Sequence, residues 1–154
     1  MGPRLPPPCK TVVTAHHPRL DAAYSVCAAV CGMRTMHVLR VTLRGNASCF
    51  DRDTYVAPAD EAFTIKITNS AWTLSGQPVS ATVLISPSND PARVPIPGRP
   101  GMGTCITSKA VFVAPTITAP DTHTAPVQPL RPGGYVLQLS EGWCHQDAAL
   151  VVRP

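Results

Sequence analysis

Eighteen prolines stand among Thr- and Val-rich stretches in a chain of 154 residues. Proline removes a backbone donor and is confined in sheets to edges, first positions and bulges. That density therefore argues against a helical protein and for many short strands joined by turns. Residues 63–68 show the kind of strand this favours: Phe63, Ile65 and Ile67 alternate with Thr64, Lys66 and Thr68. Strict period two places the apolar set on one face, as in a half-buried strand.

Seven further regions fit the same pattern: residues 38–44, 54–56, 79–85, 110–113, 122–127, 135–139 and 148–152. Short strands separated by turn signals, with no convincing amphipathic helix, predict an all-β Greek-key sandwich of seven or eight strands. Residues 86–109, which include Pro-Ser-Asn-Asp-Pro and Pro-Gly-Arg-Pro-Gly-Met-Gly, read as one long loop. Loops of that length inside a compact domain tend to carry function or motion.

Charge is unevenly placed. Residues 1–44 hold six Lys/Arg against Asp21 alone, whereas residues 45–154 hold seven Lys/Arg against eight Asp/Glu. The net charge of +4 thus belongs to the N-terminal stretch. The remaining domain has no basic patch suited to phosphates, which excludes nucleic acid as the expected partner. No apolar run approaches the roughly 18 residues of a membrane span.

Residues 1–37 have no strand pattern and read as a separate leader, with 38–154 as the domain. Within the leader, residues 22–33 form a short apolar run behind three basic residues, as secretory signals do; a disordered leader, or an extension that is not part of the functional product, is the alternative. Its Pro and basic content buries too little apolar surface to offset ordering, so its removal should leave the melting temperature nearly unchanged.

Of six cysteines, Cys49, Cys105 and Cys144 fall in the domain. No CxxC pair occurs, which disfavours a structural zinc site. Three cysteines suit one disulfide and one remaining thiol, hence an oxidising, extracytoplasmic setting, periplasmic or secreted. Their pairing is not legible in the sequence. There is no nucleophile elbow, HExxH or phosphate loop, so no enzyme is predicted. Asn46-Ala47-Ser48 is a formal glycosylation acceptor.

Cys144 and His145 lie between the last two expected strands. A thiolate and imidazoles are the donors that suit copper cycling between one-electron states. These two residues are the candidate metal ligands, with copper as the possible cofactor and a redox or other protein as partner. Cys144 could equally be half of a disulfide with Cys49 or Cys105, or a small buried hydrophobe.

Phe50-Asp51, Val56-Ala57-Pro58-Ala59-Asp60 and Phe63-Thr64-Ile65-Lys66-Ile67-Thr68-Asn69 resemble the opening of small cupredoxin-like (plastocyanin-type) domains of bacterial secreted proteins. Leu130-Arg131-Pro132-Gly133-Gly134-Tyr135 resembles their penultimate turn and strand, and Ala149-Leu150-Val151-Val152 the last strand. The resemblance covers about residues 38–154 without 86–109. It implies a cupredoxin-like sandwich with an ancestral role in copper binding and electron transfer.

It also implies an incomplete copper site. Copper-binding members carry a His after a Pro where Pro78 is followed by Val79, and a Cys where this chain has Leu139. Cys144-His145 comes later, with no Met after it, and His123 is the other imidazole in this part of the domain. The alternative function is a metal-free β-sandwich that binds through residues 86–109.

Overall fold

The computed structural model describes residues 35–45, 48–100, 103–141 and 144–154. All but the last three residues of the expected leader lie outside these, as do Asn46, Met102 and Trp143. Twelve strands run through the described part: β1 (Val38–Leu43), β2 (Thr54–Pro58), β3 (Phe63–Asn69), β4 (Ser80–Ala81), β5 (Val83–Pro87), β6 (Arg93–Pro95), β7 (Gly103–Cys105), β8 (Phe112–Val113), β9 (Ile117–Thr118), β10 (Thr122–Val127), β11 (Gly133–Leu139) and β12 (Ala148–Arg153). The described residues contain no α-helix; one 3₁₀ turn spans Thr107–Lys109.

Two sheets form the sandwich. One has the order β1-β3-β10 and the other β2-β12-β11-β5-β8, with β4-β9 and β6-β7 as two-stranded ribbons. Strand β1 runs parallel to β3, and β2 parallel to β12, so the chain crosses between the two sheets from β1 to β2 and back to β3. All eight regions expected from the sequence supply strands of these sheets, the region at 79–85 being split into β4 and β5.

Alternation decides which side chains meet between the sheets. Phe63, Ile65 and Ile67 are fully buried in one core cluster, while Thr64, Lys66 and Thr68 are partly exposed on the other face. Leu39, Val41 and Leu43 join them from β1; Leu137, Leu139, Leu150 and Val152 meet them from the opposite sheet. Pro126 is tolerated in β10 because that strand lies at the sheet edge, where a missing amide donor is harmless.

The reading of residues 86–109 as a loop requires correction. The segment holds the β6-β7 hairpin, with Arg93 opposite Cys105 and Pro95 opposite Gly103. Its short, proline-bounded strands carry no apolar alternation, so period-two reasoning had nothing to detect. The hairpin segment packs on the outer face of the larger sheet. There Leu84, Ser86 and Gln138 point away from the core cluster and are nevertheless fully buried, together with Ala92.

Candidate metal centre

Asn69 closes β3 and is wholly buried. Its Nδ2 donates to the carbonyls of Val79 at 2.7 Å and Ile117 at 2.8 Å, and its Oδ1 accepts from the amide of Ala71 at 3.0 Å. One carboxamide thereby satisfies groups from three chain segments, which fixes Val79 in the approach to β4. Leu139 ends β11, opposite Val83 of β5, with its side chain fully buried in the core cluster. The two positions for which the resemblance implies imidazole and thiolate thus carry aliphatic groups.

The segment between β11 and β12 is held by two devices. The first is covalent: Cys144 is disulfide-bonded to Cys49, with Cα atoms 5.8 Å apart. Cys49 is fully buried, and the Gln146 amide donates to its Sγ at 3.2 Å.

The second is the guanidinium of Arg93, whose side chain is only 12% exposed. Nη2 donates to the Leu139 carbonyl at 2.8 Å; Nη1 donates to the His145 carbonyl at 2.7 Å and to the Asp147 carboxylate. Gln138 completes this network. Its Oε1 accepts from Ser86 Oγ and from the amides of Ala92 and Arg93, while its Nε2 donates to Asp147 Oδ2 at 2.9 Å. Gly103 is required by the same packing, since a Cβ there would come within 2.6 Å of Arg93 Cγ.

These contacts change the status of the candidate ligands. The expectation that Cys144 would offer a thiolate is corrected by its bond to Cys49, because a disulfide sulfur is not the soft anionic donor that copper needs. His145 has an exposed side chain and contributes its backbone carbonyl to Arg93. His123 lies on β10 opposite Ile67, in a different sheet from β11 and β12. Among the described residues no three His, Cys, Asp or Glu side chains gather where they could hold a metal. The donor set among the described residues does not fit a blue-copper ion.

Sequence reasoning missed the network of Ser86, Arg93, Gln138 and Asp147. A signal was available in Ser86 and Gln138, which share the outward phase of the neighbouring strands β5 and β11. An outward polar residue normally meets water, and nothing in the sequence announces a hairpin laid over it.

Elsewhere, Asp51 accepts from the Tyr55 hydroxyl at 2.6 Å and the Thr42 amide at 2.9 Å, bridging the start of β2 to β1. Burial pushes the Asp51 carboxyl up, but these donors and the nearby Arg52 charge together outweigh it and hold the group below its ordinary value. Burial first, then the adjacent carboxylate, pushes the Tyr55 phenol upward.

No protein-family model and no curated protein matches the chain. Solved structures do. Reduced auracyanin from Roseiflexus castenholzii aligns at 12% identity over 76% of this chain and 97% of its own, with a TM-score of 0.53. Auracyanin B aligns at 16% identity over 77% and 89%, with a TM-score of 0.54. Auracyanin A of Chloroflexus aurantiacus, described as a blue copper protein, aligns at 14% identity over 75% and 97%, also with a TM-score of 0.54. The fold is cupredoxin-like. At such identities the likeness concerns architecture; in this chain the connection between β11 and β12 is held by a disulfide and by the Arg93 guanidinium.

Proposed function

We propose that this is an extracytoplasmic protein of cupredoxin descent, from an ancestor that bound copper and transferred electrons, whose own copper site is incomplete. Its present role is that of a metal-free binding module, with the hairpin segment at 86–109, which covers the outer face of the larger sheet, as contact surface. The observation that carries this reading is the Cys49–Cys144 bond, which occupies the sulfur of Cys144, the candidate ligand. Burial of Leu139 at the end of β11 supports it, and a disulfide suits an oxidising compartment.

The test is addition of Cu(II), and separately Cu(I), to the purified oxidised protein. A thiolate-to-copper band in the visible spectrum requires a free sulfur beside the ion. Absence of that band, with weak surface-type binding alone, is the expected result. An intense visible band in wild-type protein, lost in Cys144→Ser, would overturn the reading and restore an electron-transfer role.

A further inference from the structure

Strand β1 is an edge of the smaller sheet and β2 an edge of the larger, and a cavity of about 280 Å³ lies between them. Residues 37–40 form one rim; Arg52, Thr54, Tyr55 and Val56 form the other. These lining residues include two arginines and no carboxylate.

The β1 rim has backbone groups to spare. The carbonyls of His37 and Leu43 accept from the amides of Thr64 and Ser70, and the alternation of a parallel ladder commits Leu39 and Val41 to the same side. Val38, Arg40 and Thr42 therefore turn their amides and carbonyls toward the open side. At Thr42 the chain itself supplies the partner. The Thr42 carbonyl accepts from the Asp51 amide at 2.9 Å, and its amide donates to Asp51 Oδ1 at 2.9 Å. This short stretch is antiparallel, with Phe50 opposite Leu43 and the Arg44 amide bonded to the Cys49 carbonyl. The chain then departs toward β2, and among the described residues no strand continues along β1 beside Val38 and Arg40.

We propose that this edge is a strand-addition site for an extended, acidic segment of a partner protein, which continues along β1 in the antiparallel direction that residues 49–51 begin. Arg40 and Val38 each exchange two backbone hydrogen bonds with one residue of the segment. Charge selects the acid. Arg40 is exposed and stands opposite Lys66 in the β1–β3 register, a pair of like charges that an anion relieves. Arg52 adds a further exposed cation on the other rim, and its neighbour Asp51 is already engaged by Tyr55 and Thr42. Antiparallel order then sets the preferred sequence: an acidic residue opposite Arg40, an apolar one entering the cavity beside Leu39, and an apolar one opposite the exposed Val38. This surface is separate from the hairpin segment at 86–109.

The probe is the blocked peptide acetyl-Thr-Glu-Val-Val-Thr-amide, titrated into the isotope-labelled, full-length oxidised chain. Saturable movement of the Val38 and Arg40 amide resonances, with slowed hydrogen exchange at both, is the expected result. Methylating the glutamate nitrogen of the peptide removes the donor to the Arg40 carbonyl and should weaken binding about fivefold. Arg40→Glu gives Lys66 an opposite charge at an exposed position; this variant should bind the glutamate peptide more weakly and prefer the same peptide with lysine in that place. Three results would each overturn the proposal. One is an absence of these shifts at millimolar peptide, which would leave the arginines as guards of a bare edge. The others are equal binding of the methylated peptide, and dimerisation of the chain through Val38 and Arg40 in place of peptide binding.

Discussion

The Arg93 guanidinium reaches from β6 to the carbonyl of Leu139, the residue that ends β11. One side chain thus fastens a surface hairpin to the position at which the sequence resemblance implies a metal-binding Cys. Because the guanidinium also takes the His145 carbonyl and the Asp147 carboxylate, it organises the β11–β12 connection without a metal.

Removing that clamp should separate local from global stability. Arg93→Met keeps much of the aliphatic stem but removes the guanidinium's bonds to two carbonyls and a carboxylate, of which the carboxylate keeps its bond from Gln138 Nε2. Breaking a buried pair costs about 3 to 5 kcal/mol, and the partial exposure of Asp147 reduces this to roughly 1 to 3 kcal/mol. Hydrogen exchange should rise at residues 92–106 well beyond the change in the core strands. By contrast, Lys109→Ala breaks the more exposed pair with Asp90 and should cost less than about 1 kcal/mol by denaturant unfolding.

Asn69 should be the most sensitive polar position near the end of β3. Asn69→Ala leaves the Val79 and Ile117 carbonyls and the Ala71 amide without their side-chain partner. The Val79 carbonyl still accepts from the Ala119 amide, so at about 1 to 3 kcal/mol for each buried group left unpaired, and with partial rescue by water, a loss of roughly 2 to 3 kcal/mol is expected from equilibrium unfolding. A loss below about 1 kcal/mol would show that Asn69 does not hold these segments together.

Core burial makes its own demand. Phe63 is fully buried between the sheets and meets His37 edge-on, with ring centroids 6.4 Å apart. Phe63→Ala should cost roughly 3 to 5 kcal/mol, measured by chemical denaturation at fixed pH. A value near that of an exposed substitution would contradict the two-layer packing.

The alternation of β3 made the sandwich legible, because period two fixes both strand type and buried face from a single line of residues. Leu139 and Val79 were legible by resemblance as replacements for ligands. What remained hidden was set by partners distant in sequence. The sequence left Cys144 with two possible disulfide partners and a ligand role, and the register that joins it to Cys49 exists only once β1 and β12 are placed. The burial of Gln138 is not legible because its cover, Ala92 and Arg93, lies about fifty positions away in a proline-rich segment without periodicity.

Acid should weaken the fold in part through Asp51. Its folded carboxyl lies below the ordinary value of 3.8, so it contributes stability above the unfolded pKa that is lost as pH falls through the folded one. Unfolding free energy should therefore decline below about pH 4, and Asp51→Asn should flatten that decline. An unchanged pH profile in the variant would assign the acid sensitivity elsewhere.

The Cys49–Cys144 bond should be a large covalent contribution to stability. It closes a loop with a sequence separation of 95, and the chain-entropy account gives about 4.7 kcal/mol for loops near that length. Full reduction under native conditions should lower the melting temperature markedly, since cysteines that no longer restrict the unfolded chain leave it more freedom to gain. Cys105→Ser in the oxidised protein should leave the melting temperature nearly unchanged, because its thiol makes one long contact to the Leu139 carbonyl. Calorimetry on oxidised, reduced and Cys105→Ser proteins compares these contributions. A reduced protein melting with the oxidised one would mean that noncovalent packing, with the Arg93 clamp, holds this end unaided.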